Sequence, residues 1–233
     1  AGTDLRYRGH RIFDGKYQIP GLPSSYGTKG VKTCEITLED RRLDLEVILR
    51  YGVFEKEDVI TRTVEVLNSG TSDLYINKVM SASMDFLDGK YHLIHFYGRH
   101  YNEMHFERTP VGHEAVSIGS RRGVSGHQHN TFAILAEQNT TEDYGACYGL
   151  SLMYSGNFLL EAEQDQYSQT RIQMGISDEL LDYLLCPGES FYAPEVIMGY
   201  SQEGLARSHI SSIIFCVRMC AGENIRKSAD PFW

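Results

Sequence analysis

The sequence lacks the features that mark several classes of protein. Tryptophan occurs once, as Trp233, and 22 basic residues face 31 acidic ones, so the formal net charge is -9. An acidic chain repels phosphate backbones, and the densest basic runs are pairs such as Arg41-Arg42, so we expect no nucleic-acid binding. No apolar stretch reaches the length of a membrane span and no signal-peptide pattern opens the chain, so we expect no membrane partner.

Cysteine is present in an odd number and without a metal-binding spacing. The five thiols belong to Cys34, Cys147, Cys186, Cys216 and Cys220, and no CxxC pair occurs. This pattern argues against a disulfide framework and against a zinc site. Free thiols suit a reducing compartment, so we predict a cytoplasmic protein.

Strand patterns dominate residues 1–200. Apolar and polar residues alternate over 33–40 and 43–51, as in a half-buried antiparallel strand. Residues 59–67 are rich in β-branched side chains, and 190–200 reads as a further strand. Asp14-Gly15 and Asp88-Gly89 predict tight hairpins. Short strands without long helical stretches between them predict an all-β sandwich.

The period changes after residue 200. A stripe of apolar residues at helical spacing predicts a single linker helix over 201–222, with Ser201 as its N-cap and Gly222 as its stop. The stripe consists of Ala206, Ile210, Ile213, Ile214, Val217 and Ala221. Residues 223–233 form a polar tail with Pro231.

No catalytic motif is evident. The sequence has no phosphate-binding Gly loop, GxSxG, HExxH or EF-hand pattern. Carboxylates within strand or turn patterns are predicted to be solvated or capping groups rather than catalytic ones. They are Asp85, Asp88, Glu107 and Asp165.

Histidine is concentrated in one region. Seven of the nine histidines lie between residues 92 and 129. His127 and His129 are two apart, so a strand would point both the same way, and such a pair could bind a metal with a third ligand. No cysteine or carboxylate completes a motif, so we predict no metal and interpret the region as a polar binding face or interface.

Long segments of the chain, in order, resemble the N-terminal domain of family 36 glycoside hydrolases, the bacterial α-galactosidases. The segments include TDLRY (3–7), GLPSSY (21–26), LEDRRLDLEVILRYGVFE (38–55), DVITRTVEV (58–66), HFYGRH (95–100), ERTPVGH (107–113), SIGSRRGVSGHQHNTFAILAE (117–137), TTEDYGACYGLSLMYSGNF (140–158), QTRIQMGI (169–176) and PGESFYAPEV (187–196). The resemblance covers nearly the whole chain to about Gly204.

The resemblance implies a β-supersandwich of two large antiparallel sheets, followed in the family by a catalytic (β/α)8 barrel. Two barrel aspartates carry retaining hydrolysis of terminal α-galactosyl units, as in melibiose and raffinose-type sugars, without a metal or organic cofactor. Many members form homo-oligomers. The Lys-Trp-Asp context of the nucleophile does not occur in these 233 residues. We therefore predict that this chain is a piece of such an enzyme and is inactive alone.

The resemblance also directs attention to the histidine-rich region. We predict that its polar residues frame the sugar pocket or the subunit interface of the parent enzyme. The candidates are Arg99, His100, Arg121, Arg122, His127 and His129. Two alternatives stay open, a stand-alone carbohydrate-binding module and an oligomerisation module without a ligand.

Overall fold

The computed structural model describes residues 2–27, 30–87, 89–179 and 181–206, which are almost entirely strand. The first eight strands are β1 (Arg6–Asp14), β2 (Val31–Asp40), β3 (Leu45–Phe54), β4 (Val59–Asn68), β5 (Leu74–Ile76), β6 (Met80–Phe86), β7 (Tyr91–Arg99) and β8 (Asn102–Pro110). The others are β9 (Val116–Ser120), β10 (His129–Glu137), β11 (Cys147–Leu152), β12 (Phe158–Gln164), β13 (Thr170–Ile176), β14 (Tyr183–Leu185), β15 (Ser190–Tyr192) and β16 (Val196–Ser201).

The strands form one large sheet, one smaller sheet and a ribbon. The ten-stranded sheet runs β1-β2-β3-β4-β16-β11-β10-β7-β8, and β15 also pairs with β4. The four-stranded sheet runs β6-β13-β12-β9, and β14 pairs with β5. The named strands pair antiparallel, which confirms the predicted all-β sandwich, although its two sheets are unequal in size.

The main core lies between the two sheets. Leu93, Leu135 and Leu150 of the large sheet pack against the four-stranded sheet, whose Phe158 and Leu160 are also almost fully buried. The alternation of the strands places these side chains on one face, which we call the inner face of the large sheet. A second core lies under the β5–β14 ribbon, where Leu45, Val47, Val64 and Val66 contact Leu185.

The opposite, outer face of the large sheet carries buried polar side chains. Alternation over β2 predicts a buried face at Cys34, Ile36 and Leu38, yet these are half-buried, whereas Thr33 and Glu35 on the other face are buried. Glu35 is stabilised by Arg50 of the adjacent β3, whose Nε donates to the carboxylate at 2.7 Å. Both faces of this strand are therefore covered, so burial does not follow hydrophobicity.

The cover on the outer face includes residues 15–27, a segment we call the clasp. Its Lys16 ammonium forms a buried ion pair with Glu195, and the Tyr17 hydroxyl donates to the same carboxylate at 2.7 Å. The backbone N–H of Ser25 donates to the second Glu195 oxygen at 2.6 Å. One buried carboxylate therefore fixes both ends of the clasp.

The predicted hairpins are wrong. Residues 15–30 separate β1 from β2, because the chain leaves the sheet at Gly15, with φ 102°, to form the clasp before it returns. Asp88 lies outside the described residues, and the flanking strands β6 and β7 belong to different sheets rather than to one hairpin.

The predicted strand over 190–200 is divided into β15 and β16, because its register on β4 shifts by one residue between Tyr192 and Val196, where Glu195 enters the outer face. The described helical residues come after Ser201, because Ser201 still pairs with Cys147 as the last residue of β16 and Gly204 has a left-handed φ of 82°. The Ser201 hydroxyl accepts the Glu203 N–H at 3.0 Å, in the manner of a cap. The predicted helix beyond Ala206, including Gly222, and the tail 223–233 lie outside the described residues.

No helix in the described ranges is long and apolar enough to cross a membrane.

The packing between the sheets predicts the effect of core truncation. Leu160→Ala should lower the free energy of unfolding by about 2–5 kcal/mol, because it removes a fully buried side chain and leaves a cavity. Leu184→Ala is the matched control, since Leu184 is 42% exposed and should cost about 0.5 kcal/mol or less. Urea unfolding measures both values, and equal losses would contradict this account of the core.

Candidate functional site

The histidine-rich region forms one end of the large sheet. It comprises the β7–β8 hairpin at the sheet edge, the loop after β9 and the beginning of β10. β10 pairs with β7, and the register between them is interrupted between His129 and Ala133. Loop and hairpin residues therefore meet at a place where the regular ladder is broken.

Two predicted residues lie at the hairpin tip. Arg99 ends β7 and His100 follows it, and both are exposed. The His100 and Tyr101 rings lie 4.0 Å apart between centroids. Their role at a sugar pocket or subunit interface stays a prediction.

The other predicted residues are distributed over the loop and the start of β10. Arg121 forms an ion pair with Glu179 across the surface, and Arg122 is exposed beside it. His127 lies in a turn and only His129 belongs to β10, so the predicted shared strand face of these two histidines is wrong. The physical reason is the turn, which closes by a bridge between Gly126 and His129.

The loop after β9 is held from beneath. The Gly123 N–H donates to the Asn157 side chain at 2.6 Å, and the Ser125 N–H donates to the Ser155 carbonyl at 2.8 Å. The Ser120 hydroxyl closes the loop on the Val124 carbonyl at 2.6 Å. Arg121 and Arg122 are thus presented on an anchored loop.

A cluster that the sequence reasoning missed lies at the base of the hairpin. His95 of β7 is 5% exposed, and its ring centroid lies 5.7 Å from that of His129. Its Nε2 lies 3.7 Å from a Glu107 carboxylate oxygen on β8. The Nδ1 atoms of His95 and His129 are buried without a hydrogen-bond partner in the described structure. Burial lowers the pKa of both histidines, and Glu107 raises it in part.

Arg108 was also missed, and it fastens β8 to the loop that follows β10. Its Nε donates to His92 Nδ1 at 2.8 Å, and its terminal nitrogens donate to the carbonyls of Thr140 at 2.8 Å and Glu137 at 3.0 Å. An Arg after a Glu in an edge strand carries no sequence signal for this role, because three of its acceptors are backbone carbonyls about 30 residues away.

The hairpin exposes large apolar side chains. Tyr101 is 90% exposed, Met104 57% and Phe106 50%, and these three residues form what we call the hairpin surface. Tyr101 and Met104 also have left-handed backbone, with φ of 62° and 59°, which is uncommon for residues other than Gly, Asn and Asp. A projecting edge with exposed aromatics is typical of an interaction surface.

The predicted roles of three carboxylates agree with their contacts. Asp85 forms a two-point ion pair with Arg171, at 2.6 and 3.2 Å. Asp165 accepts backbone N–H groups of its own turn, from Tyr167 and Gln169. Glu107 is half-exposed beside His95. Each carboxylate therefore has a solvated or structural environment.

Among the residues that the structure describes, no three His, Cys, Asp or Glu side chains are grouped so that they could hold a metal ion. The polar side chains of the histidine-rich region can donate and accept hydrogen bonds, as contact with a sugar or with another protein requires.

Family comparison identifies the domain. Residues 1–186 match the model of the glycosyl hydrolase family 36 N-terminal domain. The chain belongs to this family. Its strands superpose on the galactosidase domain of the α-galactosidase–sucrose kinase AgaSK with a TM-score of 0.88 and 47% identity, over 90% of this chain and 29% of that one. The Geobacillus stearothermophilus AgaA structure with 1-deoxygalactonojirimycin gives 0.91 and 40%, over 94% and 31%.

The curated relatives are much longer than the matched region. AgaSK of Mediterraneibacter gnavus, named a bifunctional α-galactosidase/sucrose kinase, is 48% identical over 88% of this chain and 22% of its own length. The α-galactosidase AgaA of Geobacillus stearothermophilus is 43% identical over 87% and 28%. This family 36 domain thus spans between a fifth and a third of the relatives it matches.

The His95–His129 cluster predicts acid sensitivity. An unfolded histidine has a pKa of about 6.5, and the folded values are lower, so the unfolded chain binds more protons as the pH falls. This contribution to stability is complete above pH ~6.5 and is lost as the pH falls through the folded pKa. His95→Gln cannot take up the proton, so the free energy of unfolding should fall less between pH 7.5 and pH 5 than in the unaltered domain.

Urea unfolding at several pH values measures this slope. His127→Gln is the control, since it makes the same substitution at an exposed turn position outside the cluster. If His95→Gln and His127→Gln show the same pH dependence as the unaltered chain, the cluster does not cause the acid sensitivity.

Proposed function

We propose that this chain is the non-catalytic N-terminal domain of a retaining α-galactosidase that hydrolyses terminal α-galactosyl units of oligosaccharides. The observation that carries the proposal is the family match over residues 1–186. The relatives are α-galactosidases of which the chain covers only a part. In this proposal both catalytic aspartates belong to a barrel outside the 233 residues, no cofactor is used, and the enzyme works in the cytoplasm.

The domain's own task in this proposal is to frame the active site and the subunit interface of a homo-oligomer. Two features support this role. The hairpin surface exposes aromatic side chains, and the anchored loop presents Arg121 and Arg122. Aromatic and arginine side chains are enriched at the centres of protein interfaces. Arg99 and His100 lie at the tip of the β7–β8 hairpin and add polar groups beside the hairpin surface.

The alternative is a stand-alone module that binds carbohydrate or drives oligomerisation. Of these two, the hairpin surface favours oligomerisation, because exposed apolar groups are stabilised by a protein partner. Two measurements on the isolated chain separate these forms. Saturable binding in a saccharide titration would indicate a carbohydrate-binding module, and self-association in sedimentation would indicate an oligomerisation module.

A domain exchange tests the proposal. Residues 2–186 of this chain should replace the matched region of Geobacillus stearothermophilus AgaA and retain hydrolysis of a chromogenic α-galactoside within about tenfold, a difference of about 1.4 kcal/mol in barrier. The isolated 233-residue chain should show no turnover, since it lacks the barrel.

The interface role has a separate test in the exchanged enzyme. Tyr101→Ser with Met104→Ser should weaken subunit association, measured by sedimentation, whereas Tyr167→Ser, which removes a tyrosine that is 75% exposed elsewhere, should not. Turnover by the isolated chain would overturn the non-catalytic assignment, and unchanged association in the double variant would overturn the interface role.

A further inference from the structure

A second surface, away from the histidine-rich region, forms an open groove of about 500 Å³. It lies between the turn that joins β3 to β4, residues 55–58, and residues 200–203 at the end of β16. β16 pairs with β4, so the two walls belong to adjacent strands of the large sheet. The groove is therefore built on a rigid part of the fold.

The groove has an apolar floor that the domain leaves partly uncovered. Val53 is 41% exposed, Ile60 43% and Tyr200 48%. Val53 and Ile60 are directly paired across β3 and β4, and Ile60 is paired with Met198 of β16, so these side chains share the inner face. The Tyr200 ring packs against Tyr148 at 5.0 Å between centroids, which restrains its orientation.

Acidic side chains predominate around this floor. Glu55, Asp58 and Glu203 line the groove, and no lysine or arginine is among the described residues that line it. Lys56 of the same turn is exposed and offsets one of the three acidic residues of that turn. Glu55 and Asp58 are exposed and make no ion pair with any residue that the structure describes. Asp58 has φ of 53°, in the left-handed region, which aspartate adopts more readily than most residues in a turn.

The acidic margin and the apolar floor together indicate the chemistry of a partner. Carboxylates on the margin repel anions and attract cations, and the exposed aliphatic and aromatic floor gains from contact with apolar side chains. We propose that the groove docks a segment of a separate polypeptide in which lysine or arginine side chains flank one or two apolar ones.

The size of the groove sets the strength of binding. A groove of about 500 Å³ accommodates only a few side chains, so the surface that it can bury is much smaller than that of a stable protein interface. We therefore expect a transient interaction with a dissociation constant in the micromolar range, of about 10–500 μM, that weakens as salt screens the carboxylates.

The test uses the 233-residue chain and a defined probe. The probe is a short blocked peptide with lysines on both sides of a Leu-Ile pair, and its counterpart has glutamate in place of lysine. Binding is followed by isothermal titration and by NMR shifts of the Ile60 methyl groups and the Tyr200 ring. The lysine peptide should bind in a saturable manner and move these signals, and the glutamate peptide should do neither.

Two double variants that remove the same charge distinguish binding in the groove from general attraction of a cationic peptide to an acidic protein. Glu55→Gln with Asp58→Asn should weaken binding by about fivefold or more, because both margin carboxylates are neutralised. Glu114→Gln with Asp182→Asn removes the same charge from exposed positions outside the groove lining and should change binding by less than about twofold.

Equal weakening in the two double variants would overturn the proposal, as would shifts spread over the whole surface. It would also be overturned if stachyose, and not the peptide, moved the Ile60 and Tyr200 signals, which would assign the groove to a saccharide. Concentration-dependent shifts without any peptide would assign it to a second copy of the chain and would equally contradict a separate partner.

Discussion

One buried carboxylate organises the outer face of the large sheet. Glu195 is fully buried and accepts from the Lys16 ammonium, the Tyr17 hydroxyl and the Ser25 N–H, which fixes the clasp on the sheet. Gly52 leaves room for the lysine stem, since a Cβ there would lie 2.9 Å from the Lys16 Cδ. A buried charge without partners costs several kcal/mol, so the position of the clasp depends on all of these contacts.

This cluster contains residue types that enzymes use, yet its environment is structural. Burial lowers the pKa of Lys16 to about 8, although Glu195 raises it, and burial raises the pKa of Tyr17. The Lys16 side chain is only 4% exposed and Glu195 0%, so a substrate cannot reach either group. The shifted pKa values of Lys16 and Tyr17 therefore result from their structural role around Glu195.

The all-β class and most strands could be predicted from the sequence, because the alternation in β3 and the β-branched run of β4 are local patterns. The clasp could not, since Asp14-Gly15 has the appearance of a hairpin turn and the acceptor of Lys16 lies 179 residues away. At the candidate site, the exposed Arg99 and Arg121 follow from composition and context. The pairing of His95 with Glu107 and the anchoring by Arg108 depend on strand register, which no single segment encodes.

The most direct measurement is the free energy of unfolding of Glu195→Gln, by urea titration at pH 7, beside Glu161→Gln as a control whose carboxylate is 31% exposed. The account predicts a loss of about 3–5 kcal/mol for Glu195→Gln, because Lys16 is left as a buried unpaired charge. Without Glu195, which raises the Lys16 pKa, the folded variant holds the lysine proton less tightly than the unaltered chain, in which this pKa is about 8. The gap to the unaltered chain should therefore narrow as the pH rises towards about 8, because the variant gains stability with pH before the unaltered chain does. A loss no larger than that of Glu161→Gln, or one independent of pH, would contradict the claim that this carboxylate holds the outer face together.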